Sequence, residues 1–286
     1  MAGLSHAEAD ERLLGGREAG RHVPHGVRGA EPFHAGALPV AHWMVDRLAP
    51  QPGQTILELA AGRGDVGFLA AELLHPGGTL ISSDGAEAMV EVARRRAEQL
   101  GIDNVEFKPI DLEWIDAKLA SVDGILNRFG YIHAVDPEHA LREARRVLRP
   151  GGRIVLAVWD LAEHNPWLAA LPQQAEAMGL AEPREEGAPG AFALSTPGQV
   201  TELLEDAGFD DPVVEPIDLT FTAPSVDAWW ETQRAMSSSM RPVLDRLSPA
   251  DHYRLRDAVE AAWAPYVAAD GSVAIPGRAL GVVAEA

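Results

Sequence analysis

The chain has 286 residues, with 43 acidic side chains against 24 basic ones, a formal charge of -19 and no cysteine. A charge of that sign argues against nucleic acid or an anionic membrane surface as the main partner, because phosphate-tracking surfaces need clustered Lys and Arg. The lack of thiols excludes disulfides, thiolate metal sites and cysteine nucleophiles, while 47% hydrophobic and 23% charged residues is the balance of a chain that buries a core.

Residues 1–50 are expected to form an N-terminal helical segment over the active site. Its first thirty residues are charged throughout and lack the apolar stretch of a signal peptide. No run in the chain approaches the ~20 apolar residues that span a bilayer. A cytoplasmic location with no membrane partner is therefore expected. The spacing of Val40, Trp43, Met44 and Leu48 predicts an amphipathic helix from Pro39 to Leu48, ended by Pro50 and Pro52-Gly53.

A strand–helix alternation follows. Thr55 to Leu59 reads as a buried strand, Val66 to Leu74 as a helix, and Thr79 to Ser83 as a second strand ending at Asp84. Ala86 to Leu100 is strongly helical and stops at Gly101. Val105 to Ile110 and Gly124 to Leu126 are the third and fourth strands. Asp136-Pro137 opens a helix through Leu148. Pro150-Gly151-Gly152 then turns the chain into a fifth strand, Arg153 to Val158. This rhythm predicts an α/β fold, a doubly wound and mainly parallel sheet covered on both faces.

After Trp159 the rhythm loosens. Residues 181–190 read as a loop, Pro197 to Ala207 as a helix, and Val213 to Phe221 as a half-exposed strand. Residues 225–268 read as helical, and Gly281 to Ala284 as a last strand. The expected units are a core over 51–222, a helical lid or substrate cap over 223–270 inserted before the final strand, and that core strand within 271–286. The lid holds Trp229, Trp230, Met236, Met240, Tyr253, Trp263 and Tyr266, which could roof an apolar pocket or simply form a core.

The chemistry concentrates after the first strand, in Glu58-Leu59-Ala60-Ala61-Gly62-Arg63-Gly64-Asp65-Val66-Gly67. Small residues there let the backbone approach a ligand beside a helix N-terminus. Gly62, Gly64 and Gly67 match G-x-G-x-x-G, so an NAD(P)-dependent reductase has to be weighed. Glu58 opposes that reading, since a carboxylate there repels a pyrophosphate but attracts a ligand carrying ammonium and sulfonium groups. Asp84 ends the second strand where a carboxylate can accept from ribose hydroxyls. Asp111, after the third, is placed to meet an adenine amino group.

These residues resemble the class I S-adenosylmethionine (SAM)-dependent methyltransferases, in the branch that includes ubiquinone/menaquinone-biosynthesis enzymes and small-molecule methyltransferases of secondary metabolism. The resemblance rests on Glu58 to Gly64, Asp84 with Met89, Asp111-Leu112, Asn127-Arg128-Phe129-Gly130, and Arg146 to Gly152, and covers residues 55–160. Ala60 stands where many members have the first glycine. The resemblance implies a Rossmann-like sheet and SAM as cofactor. It implies that Glu58, Ala60 and the Gly62–Gly64 backbone hold the methionine end, and that Asp84 and Gly85 meet the ribose. Met89, Asp111 and Leu112 would meet the adenine, and Asn127 and Arg128 would line the cleft beside the sulfonium.

For proton removal, His133 after the fourth strand and His164 after the fifth are the candidate catalytic bases. His25, His34 and His42 lie in the segment that reaches over the site, although isolated surface histidines are the commoner outcome. His22-x-x-His25 lacks a third ligand, so no metal is expected. The implied activity is methyl transfer to an O, N or C atom of a small, fairly apolar metabolite such as a polyketide or quinone. A protein of the same fold that binds SAM without transferring methyl, as a cyclase or binding module, is the alternative. The expected partner is a small-molecule acceptor and not nucleic acid, and a homodimer stays open.

Overall fold

The computed structural model describes residues 31–185, 187–237 and 239–286. The first part of the expected N-terminal segment, with His22 and His25, lies outside the described residues. A short helix α1 (Glu31–Gly36) leads into α2 (Leu38–Leu48), which has Pro39 in its first turn and buries Val40, Ala41, Met44, Val45 and Leu48 on one face. Strand β1 (Thr55–Glu58) is followed by α3 (Gly67–Leu73), β2 (Thr79–Asp84), α4 (Glu87–Leu100) and β3 (Val105–Pro109). After β4 (Val122–Arg128), α5 (Pro137–Val147) is capped by the Asp136 side chain, which accepts from His139 N–H, and β5 (Leu148–Trp159) follows.

The chain continues through α6 (Pro166–Ala177), α7 (Pro197–Asp206), β6 (Asp210–Ala223), α8 (Val226–Met236), α9 (Arg241–Leu244), α10 (Pro249–Trp263) and β7 (Val273–Glu285). The seven strands form one sheet in the order β3-β2-β1-β4-β5-β7-β6. The first five pair in parallel, while β7 runs antiparallel to both β5 and β6. From β1 the chain moves outward to β2 and β3, and then crosses back to β4 and β5. Right-handed crossovers in opposite directions place their helices on opposite faces and open a crevice at the carboxyl ends of β1 and β4.

The fold expected from the sequence is the one found: a mixed, Rossmann-like seven-stranded α/β sheet. Three local differences have physical causes. Strand β5 begins at Leu148 instead of Arg153, because the register shifts between Val122↔Leu148 and Gly124↔Arg153 and so absorbs the Pro150-Gly151-Gly152 turn inside the strand. Strand β7 spans 13 residues where four are expected. Pro276 and Gly277 hide its alternation, yet pair with Thr220 and Leu219 of β6. Helix α6 is not expected at all, since Pro172 sits inside it.

Helices α8 to α10 lie between β6 and β7. Their tryptophans face inward, with Trp229 and Trp263 fully buried and Trp230 at 1% exposure, while Tyr253 of α10 is exposed. Trp229 joins Trp167 of α6, Phe221 of β6 and Trp263 in a chain of ring contacts at 6.1–6.3 Å. Each ring so buried contributes roughly 1.5–3 kcal/mol, which fastens this helical unit to the sheet edge.

Candidate active site

The loop between β1 and α3 is built by backbone strain and held by two carboxylates. Ala60 sits at φ +50°, Gly62 at +57° and Gly64 at +83°, a run that curls the chain sharply enough for Gly64 N–H to donate to Ala61 O at 2.8 Å. A Cβ on Gly64 would meet the Phe68 ring at 2.5 Å, whereas one on Gly62 would meet nothing within 4 Å. Gly64 is therefore required by packing, and Gly62 leaves its backbone open toward the crevice.

Glu58, at the end of β1, is 2% exposed; its Oε1 accepts from Gly67 N–H at 2.9 Å, and its Oε2 has no partner. Burial pushes this carboxyl up to about 8, against the Gly67 N–H and the Arg128 charge, which pull it down. Asp84, at the end of β2, accepts from Gly62 N–H at 3.0 Å through Oδ2 and from Ala86 N–H at 2.9 Å through Oδ1. It thus fastens the loop to β2 and opens the turn into α4, with lone pairs left over on both oxygens. Gly85 is exposed, and the nearest atom to a Cβ there would be Ile110 O at 4.0 Å.

Met89 is half-buried in the first turns of α4, Leu112 is half-buried after β3, and Asp111 is exposed with Oδ1 accepting from Glu113 N–H at 2.8 Å. At the end of β4, Asn127 is fully buried and its side chain serves the backbone. Nδ2 donates to Leu59 O at 3.0 Å, and Oδ1 accepts from Gly130 and Tyr131 N–H at 3.1 Å each. It ties β1 to the turn after β4.

Arg128 reaches Asp65, two residues before Gly67, at 2.9 Å. Asp65 is the hub of a buried cluster. Arg96 of α4 lies at 2.8 Å, Arg63 at 3.3 Å and His34 Nδ1 of α1 at 3.0 Å from its oxygens. Burial alone would raise the Asp65 carboxyl, but the His34 hydrogen bond and the Arg96 and Arg128 charges hold it well below the usual range. Three guanidinium groups and an imidazole thus converge on one buried carboxylate beside the loop.

His133 is solvent-exposed in the turn after β4; the surrounding protein, then the Arg184 charge, hold its imidazole below the ordinary value. His164 is 36% exposed, with Nδ1 at 2.8 Å from Oδ2 of buried Asp160 just past β5. The structure thus joins Glu58, Gly62 and Asp84 through one loop, with Arg128 beside it, and sets His133 and His164 at the ends of separate strands. Sequence reading missed the Asp65 cluster and the Tyr131 hydroxyl, which is buried without a partner. The only available signal was an acid directly after the glycines.

The set fits a ligand that is cationic at one end and carries ribose hydroxyls at the other. An orphaned carboxyl oxygen of Glu58 lies under the loop, a Cβ on Gly62 would meet nothing within 4 Å, and Asp84 has acceptor capacity to spare. Comparison with known proteins agrees. A family model described as "Methyltransferase domain" matches residues 50–208. The chain is 32% identical over 206 residues to nocamycin O-methyltransferase of Saccharothrix syringae, covering 66% of this chain and 71% of that one. It is 40% identical over 112 residues to a ubiquinone/menaquinone biosynthesis C-methyltransferase of Acidiphilium cryptum, covering 38% and 43% respectively. The chain spans less than two thirds of several curated relatives, 60% in the case of a Streptomyces fradiae transposon protein. A Bacillus halodurans structure assigned as a methyltransferase shares the fold, with a TM-score of 0.58 at 18% identity over 86% of this chain and 97% of that one. The nicotinamide alternative finds no support in these matches, and strand ends, glycine loop and relatives converge on one family: the chain belongs to the class I SAM-dependent methyltransferases, on the side that includes the ubiquinone/menaquinone enzymes.

Proposed function

We propose that this chain transfers the methyl group of SAM to an oxygen, nitrogen or carbon of a small, fairly apolar acceptor of secondary metabolism, such as a polyketide or quinone. The observation that carries the reading is the loop itself: backbone at Gly62 open to the crevice, fastened to Asp84, with the orphaned Glu58 carboxyl oxygen beneath. When bound, SAM supplies an electrophilic methyl on a sulfonium, which needs positioning more than activation.

The chain's own residues do that positioning. Asp84 and Gly85 receive the ribose, Met89, Asp111 and Leu112 flank the adenine, and the Ala60–Gly64 backbone takes the methionine end. Arg128 and its cluster counter the ligand carboxylate, while Asn127 acts by fixing the ends of β1 and β4. His133 and His164, past the ends of β4 and β5, are two candidate proton acceptors, with His164 oriented by Asp160. In this reading α1, α2 and the α8–α10 unit cover the site as cap and lid. The nocamycin relative is an O-methyltransferase by name, which supports a small-molecule acceptor in place of nucleic acid. No described helix is long and apolar enough to cross a membrane, and the reading places the protein in the cytoplasm as a monomer or homodimer.

The test is incubation with methyl-labelled SAM and a panel of phenols, enols, hydroxyquinones and amines, read by mass spectrometry. Label on an acceptor together with S-adenosylhomocysteine supports methyl transfer. Bound cofactor with no labelled product across the panel favours the cyclase or binding-module alternative.

A further inference from the structure

His34 is joined directly to the glycine-rich loop. It is nine-tenths buried, with 9% of its surface exposed, and its Nδ1 lies 3.0 Å from Asp65 Oδ2. The same Asp65 oxygen accepts from Arg128 Nη2 at 2.9 Å. Since Arg128 ends β4 and Asp65 lies in the loop after β1, the imidazole sits where those two segments flank the crevice.

The tautomer follows from its partner. An ionised Asp65 can only accept, so Nδ1 carries the proton and, in the neutral ring, Nε2 holds a lone pair. Nε2 points away from the carboxylate and is buried with no hydrogen-bond partner. A buried polar atom left without a partner costs about 1–3 kcal/mol, so a ligand group that reaches it recovers that loss. The groups facing this ring are Asp65, Arg63 and Arg128; burial, and then the two arginines, outweigh Asp65 and keep the imidazole below its ordinary value, hence neutral near pH 7.

The ring is also held firmly. Phe33, the preceding residue, stacks on Phe221 of β6 at 6.0 Å and packs on Trp159 and Trp167 at 6.3 and 5.8 Å, while α1 as a whole lies against β6 and α8. Helix α1 therefore runs as a strap from the β6 side of the sheet to the glycine loop. Trp159, which ends β5, also stacks on Phe129 at 3.7 Å, so the strap packs beside a buried aromatic stack.

We infer that His34 Nε2 is the proton acceptor for a hydroxyl-bearing, planar, largely apolar acceptor, an enol or phenol, with Asp65 as its positioning residue. The inference rests on the methyl-transfer reading. As the acceptor oxygen forms its bond to the methyl carbon, the O–H bond breaks and its proton passes to Nε2. The carbon–sulfur bond breaks with its electron pair remaining on sulfur, giving a neutral thioether. The resulting imidazolium is stabilised by Asp65 through Nδ1–H and later releases the Nε2 proton to water. This chemistry selects a hydroxyl, because an amine that can attack at neutral pH is already uncharged and sheds its proton after transfer.

Two experiments test it. The first needs neither cofactor nor acceptor: nitrogen-15 chemical shifts of the full-length protein at pH 7, with His34 assigned by comparison with His34→Gln. A neutral ring protonated on Nδ1 is expected, whereas an imidazolium or an Nε2-protonated ring overturns the proposal. The second uses an enol or phenol from the panel that the wild-type chain methylates. His34→Ala should lower kcat at least 100-fold, leave the calorimetric affinity for S-adenosylhomocysteine within threefold, and regain turnover when imidazole is added. His34→Ala that keeps its turnover overturns the proposal, and so does a loss that imidazole does not restore. A wild-type chain that labels amines or carbons but no hydroxyl leaves methyl transfer standing and removes this role for His34. A wild-type chain that labels nothing removes both.

Discussion

Asp84 does two things at once: its two oxygens hold Gly62 and Ala86 N–H, and its remaining lone pairs face the crevice. Replacing it with Ala removes hydrogen bonds to a charged acceptor worth roughly 1.5–3 kcal/mol. SAM affinity should then fall about tenfold to a hundredfold in calorimetry, and an unchanged dissociation constant would confine Asp84 to capping. Glu58 makes a pH prediction. Its carboxyl is raised from 4.5 to about 8 in the folded chain. Between those values the native state holds a proton that the unfolded state has lost, so this group's contribution to stability is full at low pH and declines as pH rises toward 8. Glu58→Gln should flatten that decline in urea unfolding at pH 5, 6.5 and 8, and an identical slope in both proteins counts against a buried neutral carboxyl. Glu58 and Asp84 were readable in the sequence because each follows directly on an apolar strand. Asp65 was not, because His34, Arg63, Arg96 and Arg128 come from separate stretches of chain and meet only after folding.

Glycine conformation decides the loop and, with it, the entry to α3. Gly64→Ala would force a Cβ into Phe68 at φ +83°, while Gly53→Ala, at φ +84°, would meet nothing within 4 Å. Backbone strain of about 1–2 kcal/mol is common to both, and overpacking adds about 1–3 kcal/mol to the first alone. Thermal melting should rank Gly64→Ala clearly below Gly53→Ala, and equal losses would mean that the Phe68 contact is dispensable. A Cβ on Gly67 would strike the Glu58 carboxylate and Leu80, so Gly67→Ala should weaken SAM binding as well as stability, with loss of stability alone being the contrary result. At this level the sequence is most legible where a parallel strand is a short apolar run between turns, as in β1 and β2. It is least legible in β5, β7 and α6, where Pro150, Pro276 and Pro172 lie inside elements they usually end. Tertiary pairing overrode the local signal there, through a register shift in β5 and a long antiparallel ladder in β7.

Across the whole molecule, the sheet order brings the carboxylates and glycines of the site to the carboxyl ends of neighbouring strands, and the β6–β7 pair extends the sheet beyond β5. Of the aromatics of α8 and α10 that the sequence offers as a pocket roof or a core, Trp229, Trp230 and Trp263 are buried in packing, while Tyr253 is exposed. A residue list cannot separate those outcomes, because a pocket wall and a core use the same side chains. Helix α1, through Phe33 and His34, joins the far edge of the sheet to the glycine loop. The carboxyl edge that holds the glycine loop is shaped for a sulfonium nucleoside and not for a dinucleotide. Calorimetry of the full chain with S-adenosylhomocysteine and, separately, with NADH and NADPH tests it most directly. Saturable one-to-one binding of S-adenosylhomocysteine, weakened by Asp84→Ala, with no heat from either dinucleotide, is the expected result; dinucleotide binding with no response to S-adenosylhomocysteine would contradict the account.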